Sequence, residues 1–371
     1  MDVVSLTRKL VSFNTVNPPG NEEDIARFAG NLLSDHGFSV EYLPYAKNRV
    51  QLVAEKGVGP LSRPLVFTGH FDTVPPGNMP WKKDPFTGGV YDKRIWGLGT
   101  SDMKGALASI MIAAIEAGKV KTLKNGIRLI FTADEEPGCR GALQYARSFH
   151  GSQKAGAIIV GEPTSNLPVT AHKGAIYLKA EYRGKTAHSS MPEKGINAVY
   201  KAAGAVCRLS QLDFGTEADP LLGYPTLNIG KFTGGRNINS VPDHAEFTID
   251  IRTTSGKDHG KILELVKNTL GKDAAVEKLV DIEPLHTAAE DPFIRLVYDI
   301  CGVDPGNLDF PLALPYLTDG AVLQQFYNNA PTVILGPGEP EQAHRADEHC
   351  HLEKLTESVG IYKEIISQWN G

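Results

Sequence analysis

Thiol chemistry is nearly missing from this chain. Its four cysteines, Cys139, Cys207, Cys301 and Cys350, lie far apart, and no Cys-x-x-Cys pair occurs in 371 residues. That argues against a disulfide framework or a thiolate metal site and fits a reducing compartment. Long apolar runs are missing too. Nothing approaches the roughly 18 consecutive apolar residues of a membrane span, so no membrane partner is expected. Lysine and arginine do not cluster, and the formal net charge is −5, so no nucleic-acid surface is expected. The opening residues, MDVVSLTRKLVSFNTVNPPGNE, lack the charged start and long apolar core of a secretory leader, which makes the cytoplasm the expected location. No internal repeat or low-complexity tract is visible.

What is present describes an ordinary globular protein, with 41% hydrophobic and 22% charged residues. The length exceeds what one hydrophobic core usually serves, so two domains are expected. Val4, Leu6, Leu10 and Val11 share one face of a short first helix, which an Asn-Pro-Pro-Gly turn ends. Apolar strands then alternate with helices: RPLVFTGH, a helix over 105–118, GIRLIFTA at 126–133, a helix in CRGALQYARSF, and AGAIIVG at 155–161. Continuously apolar strands separated by helices imply a mostly parallel sheet covered on both faces. From residue 175 the pattern changes to β-α-β-β-α-β. An alternating strand at 175–184 is followed by a helix over 195–212, strands near 226–232 and 245–252, a helix over 258–270 and a strand near 275–282. That is the order of a ferredoxin-like α+β unit. Helices from about Pro292 and Asp319, a strand at 331–338 and a helix from about Leu352 then resume the first pattern. The expected architecture is an α/β domain over 1–173 and 286–371, interrupted by an α+β domain over 174–285.

In open parallel sheets, ligands bind beyond the carboxyl ends of the strands. Each proposed strand end carries a carboxylate or an imidazole. TGHFDTVPPG (68–77) offers His70 and Asp72, which point the same way on a strand, as in a metal-binding imidazole held by a carboxylate. GLGTSDMKG (97–105) offers Asp102, TADEEPG (132–138) Asp134, Glu135 and Glu136, VGEPT (160–164) Glu162, and GPGEPEQAHRADEH (336–349) His344. Singly, each has a blander role: a turn, a helix cap, a solvated acidic pair, surface charge. Together at one sheet edge they form an inventory for two zinc ions. His70 and Glu162 would serve one ion and Glu136 and His344 the other, with Asp102 bridging both. Glu135, left beside a ligand, is then the candidate general base. The chemistry of such a centre is hydrolysis of an amide or related acyl bond.

These five blocks, spread from about residue 65 to 350, resemble the co-catalytic zinc amidohydrolases, a family that includes acetylornithine deacetylases, succinyl-diaminopimelate desuccinylases, aminoacylases and glutamate-releasing carboxypeptidases. The resemblance implies a zinc-peptidase-like α/β domain with an inserted lid or dimerisation domain, and two Zn²⁺ per subunit with Co²⁺ or Mn²⁺ as substitutes. It also implies a homodimer acting on a small N-acyl amino acid. It makes Asp102 the bridging ligand, with a cis peptide before Met103, Glu135 the base and Glu136 a ligand. His188 in GKTAHSS (184–190) would help hold the oxyanion, in cis or from a partner subunit. Asn239 in NSVPD (239–243) would contact substrate, and Arg252 would take a substrate carboxylate or form a structural salt bridge. Gly336 would let the backbone approach the ligand closely. Within the family, GEPTSNLPVTAHKG (161–174), YPTLNIGKFTGG (224–235) and KKDPFTGGVYD (82–92) are most similar to acetylornithine deacetylases, which implies N2-acetyl-L-ornithine as substrate and a place in arginine biosynthesis. YLTDGAVL (316–323) departs from them towards the desuccinylases. Together with GPGEPE (336–341) it presents Thr318 as a donor, and Asp319, Glu339 and Glu341 as acids suited to a cationic side chain. Desuccinylase, aminoacylase or dipeptidase activity remains an alternative, and a metal- or ligand-binding protein without turnover a third reading.

Overall fold

The computed structural model describes residues 1–119, 123–151, 154–215, 217–304, 306 and 313–371. The chain divides into two compact units. The first holds Met1–Ala171, His286–Ala313 and Thr318–Gly371, and the second His172–Leu285 with Leu314–Leu317.

The main sheet of the first unit is built from β1 (Ser39–Ala46), β2 (Arg49–Lys56), β3 (Leu65–His70), β4 (Ile127–Thr132), β5 (Ala157–Val160) and, late in the chain, β10 (Thr332–Ile334), beside a small sheet of Gly89–Tyr91, Arg94–Trp96 and His349–His351. The second unit supplies β6 (Gly174–Arg183), β7 (Thr226–Gly234), β8 (His244–Thr253) and β9 (Ala274–Ile282). Helices of the first unit are α1 (Val3–Val11), α2 (Glu23–Asp35), α3 (Gly105–Ala117), α4 (Arg140–Ser148), α7 (Pro292–Cys301), α8 (Asp319–Phe326) and α9 (Leu352–Asn370). Those of the second are α5 (Ala198–Leu209) and α6 (His259–Leu270).

Six strands of the first unit form one sheet in the order β1-β2-β4-β3-β5-β10. β4, β3, β5 and β10 run parallel, and the hairpin β1-β2 closes one edge in antiparallel fashion. Every residue of β3, β4 and β5 is buried. Leu65, Phe67, Ile127, Leu129, Phe131, Ala157 and Ile159 join the core beneath α1, α2, α3, α7 and α9, while the alternate residues face the side where α8 packs. Helix α3 is apolar all round because it lies between sheet and helices, touching α1, α9 and β3. Helix α1 is capped by Asp2, whose carboxylate accepts the Ser5 N–H at 2.9 Å. It buries Val3, Leu6, Leu10 and Val11, whereas Val4, expected on that face, is only half-buried.

Register brings the strand ends level. His70 lies opposite Thr132 across β3 and β4, Thr68 opposite Val160 across β3 and β5, and Ile334 opposite Val160 across β10 and β5. The loops that follow therefore leave one edge of the sheet together. β10 is shorter than the expected strand at 331–338, because Gly336 turns away to hydrogen-bond the loop after β5.

In the second unit β6-α5-β7-β8-α6-β9 builds an antiparallel sheet in the order β7-β8-β6-β9, the arrangement of a ferredoxin-like unit. Ile176, Leu178, Ala180, Phe247, Ile249 and Ile251 alternate inward onto Ala198, Ala202, Ile262 and Val266 of the two helices. Among the described residues no helix is long and apolar enough to cross a membrane.

Candidate metal centre

His70 closes β3 with its ring fully buried. Its Nδ1 donates to the main-chain carbonyl of Asp72 at 2.8 Å, while the Asp72 carboxylate stands 3.8 Å away. The carboxylate expected on that ring nitrogen is thus replaced by the carbonyl of the same residue, which equally fixes the ring and turns Nε2 towards Asp102. The Asp72 side chain turns instead to accept N–H bonds from Glu135 (3.1 Å) and Glu136 (3.3 Å) and from the Asn17 amide (2.9 Å). It holds the acidic turn after β4 against the end of β3.

That turn has a second anchor, Asp134. Its carboxylate accepts from Asn17 at 2.8 Å, Arg49 at 2.7 Å and Tyr45 at 2.5 Å, and Arg49 in turn pairs with buried Glu22. Asp134 takes a left-handed φ of 60°, rare for a residue with a side chain, as does His344. Asn17, Glu22, Tyr45 and Arg49 went unread in the sequence. They come from the first hairpin and the segment before it, and nothing in their local pattern points to the sheet's far edge.

Asp102 sits in the turn before α3, with a cis peptide joining it to Met103. Glu348 holds this turn, its buried carboxylate accepting the N–H groups of Gly99 (2.8 Å), Ser101 (2.7 Å) and Asp102 (3.0 Å). Burial pushes the Glu348 carboxyl up to about 8, against the pull of those donors. Glu348, four residues after His344, was assigned no role from the sequence. Met103 packs into the core beside Gly161, where a Cβ would lie 2.9 Å from its Cε, so α3 and the end of β5 approach this closely only at glycine.

The side chains converge in two groups that share Asp102. His70, Asp102 and Glu162 each offer a donor within 4.8 Å of one another, as do Asp102, Glu136 and His344. Asp102 Oδ1 lies 3.2 Å from His70 Nε2, and Oδ2 lies 3.4 Å from His344 Nε2. His70 Nε2 is 3.7 Å from Glu162, and His344 Nε2 is 3.0 Å from Glu136. His344 is 54% exposed, so this group opens to solvent. The Glu136 Oε1 atom is buried with no hydrogen-bond partner.

Electrostatics show what the cluster needs. Burial drives the carboxyls of Glu135, Glu136 and Glu162 up, and neighbouring acids add to it. Asp102 is pulled down despite burial, by its hydrogen bonds to His344 and His70. Hydrogen bonds to Asp102 and Glu136 push His344 up to about 11, and His70 also rises despite its burial. Crowded carboxylates thus draw protons onto two imidazoles, and divalent cations would replace those protons. The donor set of two imidazole nitrogens and three carboxylates, one able to bridge, fits a pair of such ions.

Glu135 belongs to neither group. It is buried beside Cys139, whose Sγ donates to Oε1 at 3.2 Å, and beside Asp319. Asp319 was expected to face substrate. It is buried, accepts from Thr132 Oγ1 at 2.5 Å, and rises to about 6 chiefly through burial, so it is not presented to a cationic side chain. Thr318 is fully buried and caps α8, accepting the Gly320 N–H at 3.1 Å. Gly336 lies against the carbonyls of Gly161 and Glu162, where a Cβ would collide, and its N–H donates to Thr164 Oγ1 at 3.1 Å. Its close approach is to the Glu162 loop.

In the second unit, exposed His188 forms an isolated bridge with Ser240, and its Nδ1 lies 2.7 Å from Ser190 Oγ. The Ser189 N–H donates to the Asn239 carbonyl at 3.1 Å. The segments carrying His188 and Asn239 are therefore adjacent. Arg252 pairs twice with Asp250, at 2.8 and 3.0 Å, over the Tyr177 ring, which is the salt-bridge role weighed for it.

Comparison with known proteins gives the geometry a family context. Residues 66–368 match the family described as peptidase family M20/M25/M40. An acetylornithine deacetylase of Edwardsiella ictaluri is 32% identical over 361 residues, covering 93% of this chain and 90% of the relative. An M20 family metallo-carboxypeptidase from Sulfolobus solfataricus shares the fold with a TM-score of 0.80 at 18% identity, covering 100% of both chains. A dinuclear metal-binding peptidase of the M20 family from Bacillus subtilis does so with a TM-score of 0.68 at 17% identity, covering 98% of this chain and 96% of that one.

Proposed function

Because the chain belongs to peptidase family M20/M25/M40, we propose that it hydrolyses the amide of an N-acylated amino acid, and that its substrate is N2-acetyl-L-ornithine, cleaved to L-ornithine and acetate. The observation that carries amide hydrolysis is the pair of three-donor groups meeting at Asp102, with Glu135 beside them and in neither. The choice of substrate rests on the acetylornithine deacetylase relative that aligns with 93% of this chain.

In this reading His70, Asp102 and Glu162 would hold one cation and Asp102, Glu136 and His344 the other. Bound there, two Zn²⁺ ions, or Co²⁺ or Mn²⁺ in their place, would polarise the amide carbonyl and acidify water. Glu135 takes a proton from the attacking water and passes it to the amine nitrogen as the C–N bond breaks, so that acetate and the free amine leave. Its burial favours this role by raising its affinity for the proton. Cys139 occupies Oε1, which leaves Oε2 for the transfer. Asp72 keeps Glu135 and Glu136 in register through their N–H groups. His188 supplies a hydrogen bond to the developing oxyanion, with the protein acting as a cytoplasmic homodimer, and Asn239 contacts substrate. Arg252 receives the α-carboxylate by exchanging it for Asp250.

Side-by-side kcat/KM measurements at equal metal loading test the substrate. Acetylornithine should be preferred over succinyl-diaminopimelate and over neutral acetyl-amino acids. Preference for the succinylated compound makes the protein a desuccinylase, and reaction with neutral acetyl-amino acids alone makes it an aminoacylase.

A further inference from the structure

Glu339, His349 and His351 stand outside the centre described above, and each offers one donor atom within 4.8 Å of the other two. The short strand His349–His351 sends both imidazoles from one face, while Cys350 between them is buried on the other. His351 Nε2 lies 3.1 Å from Glu339 Oε1. His349 donates from Nδ1 to the Asp347 carbonyl at 3.0 Å, the tautomer that leaves Nε2 a lone pair. Its ring lies against Trp96, centroids 4.4 Å apart, which fixes its direction. An ion pair between His351 and Glu339 accounts for one of these contacts but gives no reason for His349 to converge on them. The three side chains are half-buried, so further coordination positions can be filled by water. Two imidazoles and one carboxylate suit zinc and its neighbours in the first transition row.

We propose that Glu339, His349 and His351 bind one further divalent cation of the zinc class, and that this ion clamps the turn carrying Asp102. The connection runs through Ser101, which precedes Asp102. Its Oγ donates to the His349 carbonyl at 2.8 Å and accepts the Glu339 N–H at 3.3 Å. A cation joining Glu339 to the two histidines ties together the two segments that grip Ser101. Arg94 lies opposite His351 in the strand pairing and puts a cationic residue on the same face. With one carboxylate and this nearby charge, the site binds its ion more weakly than the carboxylate-rich centre does.

Zinc uptake by the purified full-length protein, followed by equilibrium dialysis with elemental analysis, tests this. The variants are Glu339→Gln, and His349→Phe, which keeps a ring against Trp96. The unmodified protein should take up one equivalent more than either variant at saturation. With Co²⁺ as probe, the last equivalent should bring absorption bands that both variants lack, and it should raise the thermal midpoint only in the unmodified protein. Equal uptake by all three proteins, or a last equivalent spectrally unchanged in the variants, overturns the proposal. The readout is a difference in bound metal, so it stands or falls independently of which amide the protein cleaves.

Discussion

His70 and His188, one in each unit, are held in opposite ways. His70 is enclosed at a strand end, and its orientation is set by a main-chain carbonyl that cannot move without the strand. Around it, Asp72, Asn17, Asp134, Arg49 and Glu22 form a continuous buried network. His188 sits exposed in a loop with a serine two residues away as its side-chain partner. The first arrangement is organised before any ligand arrives, which is what chemistry at a fixed point requires. The second leaves its imidazole free to be positioned by what binds.

Chelation strikes this contrast hardest. Removing divalent metal should take turnover to background, and zinc or cobalt should restore it, because the protons that balance the carboxylates of the first unit's centre without metal cannot polarise an amide carbonyl as a cation does. Full activity in protein shown to be metal-free would end the argument that this centre does the chemistry. Next in size is Glu135→Gln. It should lower kcat by on the order of 10²–10⁴-fold while metal content is unchanged, whereas Glu136→Gln should lose metal. The opposite pattern of metal loss would exchange the two roles. His188→Ala should cost about 10²–10³ in kcat, the effect of losing one oxyanion donor, with metal content intact. A loss of metal instead would show His188 to be part of the preorganised centre and erase the contrast. The smallest effect is expected for Asp72→Asn, which keeps the shape of the turn's anchor but weakens its grip. Metal affinity should fall about 10–100-fold, as for other supporting partners of metal ligands, and a titration showing no change would assign the turn's geometry to Asp134 alone.

The strand ends could be read from sequence because each is a continuous apolar run that stops at a polar residue. Four such stops at one edge are hard to explain separately, and register brings the loops carrying His70, Glu136, Glu162 and His344 out at that edge, where Asp102 joins them from the turn before α3. The order β-α-β-β-α-β likewise implied the sheet of the second unit. What escaped reading depends on partners distant in sequence. Arg49 reaches Asp134 across 85 residues, and Glu348 reaches the Ser101 N–H across 247. No local pattern marks either. Asp319 was misplaced because an acid after a threonine at a helix start looks solvent-facing, and only the packed structure shows Thr132 beneath it.

The split of the first unit around the second sets an order of completion during synthesis. His70, Asp102 and Glu162 all precede Ala171, so one three-donor group is encoded before the second unit begins. The other waits for His344, which follows that unit and strand β10. On the ribosome, where chains emerge from the N-terminus, all the donors of the first group are made well before the second group can be completed. Yet both groups wait for the last segment, because Glu348 holds the turn that carries Asp102 and α9 packs against α3 behind it. A chain cut short after the second unit would carry every donor of one group and lack the carboxylate that fixes the turn of their shared member, Asp102.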